Sequence, residues 1–243
     1  MSKPEKLVFT KSTACFSPCR TWRYTLERIW DNGPLVNFLC LNPSTADEVK
    51  SDPTVTRCLH YARRWGYGGC IVTNIFALRS TYPAVLLTHR DPVGPENDHF
   101  IREVAHRCAL VVVAWGVWGK VNDRGPDIAG LLSADGITLY CLGVTKEGFP
   151  RHPLYMPASA RPCLYATTHR PHRKMLAQLR QEERSAEIRA LSNAELMEEV
   201  LRLAGGDDWD GGFTTFGAWE YDFAKTELRT RLDAWLKCRG PVR

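Results

Sequence analysis

Four nearly uninterrupted apolar runs, LVNFLCLN (35–42), GGCIVTN (68–74), ALVVVAWG (109–116) and ITLYCLG (137–143), govern what this chain can fold into. A strand covered on one face alternates apolar and polar residues, and a strand covered on both faces does not. Runs of this kind therefore signal parallel strands inside an α/β sheet. Residues 53–66, PTVTRCLHYARRWG, read as a helix, with Asp52 as its cap, Pro53 in its first turn and Gly66 as its stop. Residues 95–108 read as a second helix that carries Glu96 and Asp98 early, where the helix dipole favours acids. Strands alternating with helices imply βαβ units and a mostly parallel sheet.

Ahead of these runs, TWRYTLERIWD (21–31) alternates as a half-buried strand does, with Trp22, Tyr24, Leu26 and Trp30 on one side. Asn32-Gly33 follows as a turn signal, and an N-terminal β-hairpin is expected. From about residue 170 the pattern changes: 171–203 carry Leu, Ile and Met at helical spacing in a Glu/Arg-rich background. GGDDWDGGFTTFG (205–217) then breaks regular structure, and 218–238 read as a last helix. The expected fold is α/β, with a central, mostly parallel four-stranded sheet. The expected division is an α/β domain over 1–168 and a helical C-terminal extension over 169–243.

The 243 residues suffice to bury a core without disulfides or metals, and 24% are charged. The longest apolar stretch falls short of the ~20 residues a membrane helix needs. The opening MSKPEKLVFTKSTACFSPCR has no apolar core leading to a small-residue cleavage site, so it does not read as a signal peptide. The nine cysteines are an odd number and sit mostly in apolar runs, which suits a reducing cytoplasm. Cys15 and Cys19 form the one close pair and have no second pair at ligand spacing, so neither metal nor cofactor is expected. The net charge of +5 is compatible with a polyanionic partner. The surplus lies in residues 1–165, which hold 19 Lys and Arg against 14 Asp and Glu.

Parallel sheets bind ligands outside the carboxyl ends of their strands. Those ends carry Asn42-Pro43-Ser44-Thr45-Ala46-Asp47, Thr73-Asn74-Ile75-Phe76, Trp115-Gly116, and the loop from Gly143 through Lys146 to Arg151-His152-Pro153. Two amides, two or three carboxylates and a histidine thus converge on one crevice. A dinucleotide fingerprint, a P-loop and a serine nucleophile elbow are all missing from the sequence.

The ordered set LCLNPSTAD, IVTNIFALR with HRDPVGPEN, VVVAWG and RHPLYMP, covering about 22–165, resembles the uracil-DNA glycosylase superfamily. LNPSTADEVKSDPTVTRC, RRWGYGG and DPVGPEND look, more narrowly, like a bacterial family of unknown function within that fold group. The resemblance implies a three-layer fold and a monofunctional DNA glycosylase that leaves an abasic site. It implies that Asn42 orients the attacking water at the sugar and that His152 hydrogen-bonds the departing base. Asn74 would read a pyrimidine edge, with Pro43, Ser44 and Phe76 also at the base. Leu154, Tyr155 and Met156 would fill the hole left by the flipped nucleotide, with Arg151 and Lys146 on the DNA. The expected partner is DNA, as a duplex with a flipped base or as a single strand, with no membrane. The setting would be base-excision repair or defence against phage DNA with modified, even bulky, pyrimidines.

This sequence departs from better-known members: Cys40 stands where many have Gly, and the last motif reads His-Pro-Leu-Tyr rather than His-Pro-Ser-Pro. No aromatic falls at the base-stacking position, which leaves Phe76, Trp65 and Tyr82 as candidates. The chemistry also stands without the family. Cleaving an N-glycosidic bond develops cation on the sugar and anion on the base, so Asp47 and Asp52 are rivals or helpers of Asn42. No Lys is placed as an amine nucleophile, and lyase activity is not expected.

The same residues have ordinary structural readings. Asn42-Pro43-Ser44 is a good strand-to-helix turn, Asp52 a helix cap, His152 a surface loop residue, and Trp115 and Trp118 core. The functional rivals are a catalytically inactive nucleic-acid-binding module of the same fold and a hydrolase of free nucleosides or nucleotides.

Overall fold

The computed structural model describes residues 8–166, 184–185, 187–192, 195–196 and 223–231. The chain divides into two compact units, 1–173 and 174–243. The helical readings of 171–203 and 218–238 lie largely outside the described residues. Within the second unit, Ile188, Leu196 and Ala224 form a small core with Leu191, Phe223 and Leu228.

The first unit is α/β, built on a mixed sheet. Its strands are β1 (Lys11–Phe16), β2 (Arg23–Ile29), β3 (Leu35–Cys40), β4 (Gly69–Asn74), β5 (Leu110–Val113), β6 (Leu139–Cys141) and β7 (Cys163–Leu164). They lie in the order β1-β2-β4-β3-β5-β6-β7. The four apolar runs are β3 to β6, and the pairs β3–β4, β3–β5 and β5–β6 run parallel. The expected four strands become seven among the described residues, because β1 and β2 add antiparallel at one edge and β7 at the other.

Helix α1 (Pro53–Arg64) starts at Asp52, whose carboxylate accepts from the Val55 amide at 2.8 Å. Its Val55, Cys58, Leu59 and Ala62 pack with Val36, Phe38 and Cys40 of β3 and Cys70 and Val72 of β4. These strand residues are alternate ones, as the two-residue period of a strand requires. Helix α2 (Asn97–Arg107) packs on β2, β3 and β4, and α3 (Arg124–Ala134) packs on β6. Among the described residues, no helix is long and apolar enough to cross a membrane.

β2 differs from its expected one-sided pattern. Thr25 pairs with Cys15 and Arg23 with Phe16, so Tyr24 is the extra residue of a β-bulge. A single extra residue reverses which face each following side chain takes. Tyr24 consequently stacks on Phe100 of α2 with centroids 4.8 Å apart, while Leu26 joins the α1 cluster. Arg23 and Arg28 are both buried and both reach the loop after β3: Arg23 donates to the Ala46 carbonyl at 2.9 Å, Arg28 to those of Asp47 and Lys50. These two arginines are the struts of the loop that follows Asn42.

Candidate functional site

The carboxyl ends of β3, β4 and β5 open into a cavity of about 600 Å³. That volume is in the range of small-molecule sites. Cys40, Leu41 and Asn42 line it from the end of β3, Asn74 from β4, Trp115 to Trp118 from beyond β5, and Arg151, His152 and Tyr155 from the last loop. The sheet continues past its strands to hold these ends in place: the Ile75 amide donates to Cys40 and the Ala114 amide to Leu39. Asn97, fully buried, donates its side-chain amide to the carbonyls of Asn74 and Ile75 at 2.9 and 3.1 Å.

Asn42 is held by one end only. Its Nδ2 donates to the carbonyls of Ser80, Pro43 and Leu78 at 2.8, 3.2 and 3.4 Å. Three carbonyls around one end fix the nitrogen there, since an amide oxygen could not donate to them. The Oδ1 has no donor among the described residues, and Asn42 lines the cavity.

His152 begins a single 3₁₀ turn, Pro153–Tyr155, and its Nδ1 accepts from the Leu154 amide at 3.4 Å. A neutral ring that accepts at Nδ1 carries its proton on Nε2, where it can donate. Burial pushes the imidazole below its ordinary value, and the Asp52 carboxylate pulls partly the other way. The side chain is therefore neutral at neutral pH. Asp52 spends one oxygen on the α1 cap and also lines the cavity.

Of the residues expected from sequence, the structure brings Asn42, Ser44, Asp52, Asn74, Arg151, His152 and Tyr155 to this cavity. The others lie elsewhere. Asp47 folds its carboxylate onto the amides of Val49 and Lys50 at 2.9 and 2.7 Å, and these bonds hold it below the usual carboxylate range. Phe76 is core, and Pro43 is buried with its carbonyl facing Asn42. Lys146 is exposed in the turn bracketed by the Val144–Pro150 bridge. Leu154 and Tyr155 are exposed at 37% and 80%. Met156 turns inward against the α1 core, and its carbonyl accepts from the Tyr61 hydroxyl at 3.1 Å.

None of the three proposed stacking aromatics lines the cavity. Phe76 is buried, Trp65 stacks on Phe38 and Tyr61, and Tyr82 is 74% exposed. The aromatic walls are instead Trp115, Trp118 and Tyr155.

Arg23 is the residue that the sequence pattern hid. It is 2% exposed, lines the cavity, and donates from Nη2 to the Oδ1 of Asn74 at 3.2 Å. Burial lowers it to about 10, which leaves it charged at neutral pH. An Arg in a strand pattern reads as solvent-facing, but β2 is buried on both faces, and the bulge at Tyr24 decides which face Arg23 takes. Among the described residues, no cluster of three or more His, Cys, Asp or Glu could hold a metal ion.

Residues 23–154 match the family described as "Protein of unknown function (DUF1643)". The matched span opens at Arg23 and takes in every cavity-lining residue except Tyr155. No curated protein and no solved structure matches the chain. With more than half of its length matched, the chain belongs to the DUF1643 family.

Proposed function

We propose that this protein is a monofunctional DNA glycosylase with a uracil-DNA glycosylase-like fold, acting on a modified or damaged pyrimidine. The reading rests on one observation above all: the free Oδ1 of Asn42 and the neutral ring of His152 line the same cavity at the ends of parallel strands. Asn42 holds the attacking water at the sugar C1′ carbon, and the Asp52 carboxylate faces the positive charge that develops there. His152 donates to the base as it takes up negative charge, an interaction that strengthens in the transition state. Leu154 and Tyr155, exposed beside His152, enter the space vacated by the flipped nucleotide. The product is an abasic site, and excision serves repair or defence against DNA with altered bases.

The test is incubation with duplexes carrying uracil, hydroxymethylpyrimidine or glucosylated bases, followed by alkali. Alkali-dependent scission at the modified position is the expected result. Scission should fall about 10²-fold or more for Asn42→Ala and His152→Ala. Absence of scission for every base, with DNA binding intact, would favour a binding module. Cleavage of free nucleosides with no salt-sensitive DNA affinity would favour a nucleoside hydrolase.

A further inference from the structure

Arg23 is a buried cation with no buried anion to match it. Its Nη1 and Nη2 go to the Ala46 carbonyl and the Asn74 Oδ1, and its Nε–H is buried without an acceptor. Among the described residues no carboxylate forms an ion pair with it, and the Asp52 carboxylate favours its charge without contact and is outweighed by burial. The buried Arg124, by contrast, is paired with Asp98. Burying a charge without a partner is costly, and such a group persists where something else supplies the opposite sign. The walls of the cavity carry two cations, Arg23 and Arg151, against the single carboxylate of Asp52, with His152 neutral. Asn74 adds a donor: its Oδ1 faces the guanidinium, which can only donate, so its Nδ2 is the end left for an occupant.

We infer that Arg23, together with the Nδ2 of Asn74, binds the departing base in its anionic form. This rests on the glycosylase reading and adds to it a group that the resemblance does not include. In the reaction the C1′–N bond breaks with its electron pair going to the base. The water oxygen bonds to C1′, and the water's second proton ends on the base after release. Until then the base is an anion, and a guanidinium in a low-dielectric wall stabilises it strongly. His152 then needs to supply only a neutral hydrogen bond.

The test is binding of free 5-nitrouracil, whose ring N–H is acidic and whose ultraviolet spectrum separates the neutral and anionic forms. The wild-type protein should bind the anion about tenfold or more tightly than the neutral form, seen as a fall of about one unit in the ionisation midpoint of the bound base. Arg23→Met should abolish that preference. Asn74→Asp should abolish it too, by giving the guanidinium an internal counter-ion, and this variant does not remove the strut to Ala46. Arg23→Lys should keep part of it. Binding without preference for the anion, or a preference that survives Asn74→Asp, would overturn this inference and leave the glycosylase reading standing. Failure to bind either form would also overturn this inference, and the glycosylase reading would then stand or fall on the scission of modified duplexes.

Discussion

The guanidinium of Arg124 in α3 pairs with the carboxylate of Asp98 in α2, Nη1 to Oδ2 at 3.0 Å, and its Nε donates to the Ile75 carbonyl at 2.7 Å. Ile75 follows Asn74, so one buried ion pair ties two helices to the strand end that carries a cavity residue. Removing one partner leaves the other charged and buried. Asp98→Asn should cost about 3–5 kcal/mol in urea unfolding. An apolar replacement of both partners should cost less than the single change, and the reverse order would contradict this account of the pair.

Asp52 separates its two roles by chemistry. Asn is as good a helix cap as Asp, so Asp52→Asn should leave thermal stability within a few tenths of a kcal/mol. Asp52→Ala should lose about 1 kcal/mol through the unsatisfied Val55 amide. Both should slow base release to a similar extent, since both remove the carboxylate. Equal activity of Asp52→Asn and wild type would restrict Asp52 to the cap.

The depressed imidazole of His152 makes stability depend on pH. Its folded value lies below the ordinary 6.5, so the unfolded chain takes up the proton first as pH falls. The contribution is therefore present above pH 6.5 and is lost as pH falls through 6.5 toward the folded value. Urea midpoints measured from pH 7.5 down to 5 should fall more for wild type than for His152→Gln. Parallel curves would contradict the shift.

Gly119 stands against Trp115 with no room to spare. A Cβ there would lie 2.0 Å from Cδ1 and 2.5 Å from Nε1 of the indole, which forms one wall of the cavity. Gly119→Ala should destabilise by about 1–3 kcal/mol and shift the tryptophan fluorescence. An unchanged midpoint and spectrum would show that the wall is not packed as described.

The parts of this fold that could be read in the sequence are those where burial and periodicity coincide. β3 to β6 announce themselves as apolar runs, and Asp52-Pro53 marks the start of α1 as found. α3 could not be read that way: RGPDIAGLLSA holds two glycines and a proline and is buried over most of its length, so it has no polar face to reveal a period. Gly125 is required there by Trp115, whose Nε1 lies 2.6 Å from where its Cβ would be. β1, KSTACF, is exposed over its first half and has no apolar stripe. In the site, chain order alone placed Asn42 and Asn74 at strand ends and His152 in the loop beyond the last parallel strand. Asp47 and Phe76 were misplaced because side-chain direction within a turn depends on local hydrogen bonds, not on distance from the strand. Arg23 escaped notice because a one-residue bulge reverses an alternation that otherwise reads as regular.

Cleavage of an N-glycosidic bond in the cavity is tested most directly by counting both products in one tube. A duplex with a single modified pyrimidine is incubated with wild-type protein and with Asn42→Ala. Free base is quantified by mass spectrometry, and aldehydic abasic sites are quantified by an alkoxyamine probe. Wild-type protein should yield equal amounts of base and abasic site, with release by Asn42→Ala at least about 10²-fold slower. Equal release by Asn42→Ala and wild type, or binding of every duplex with neither product formed, would contradict it.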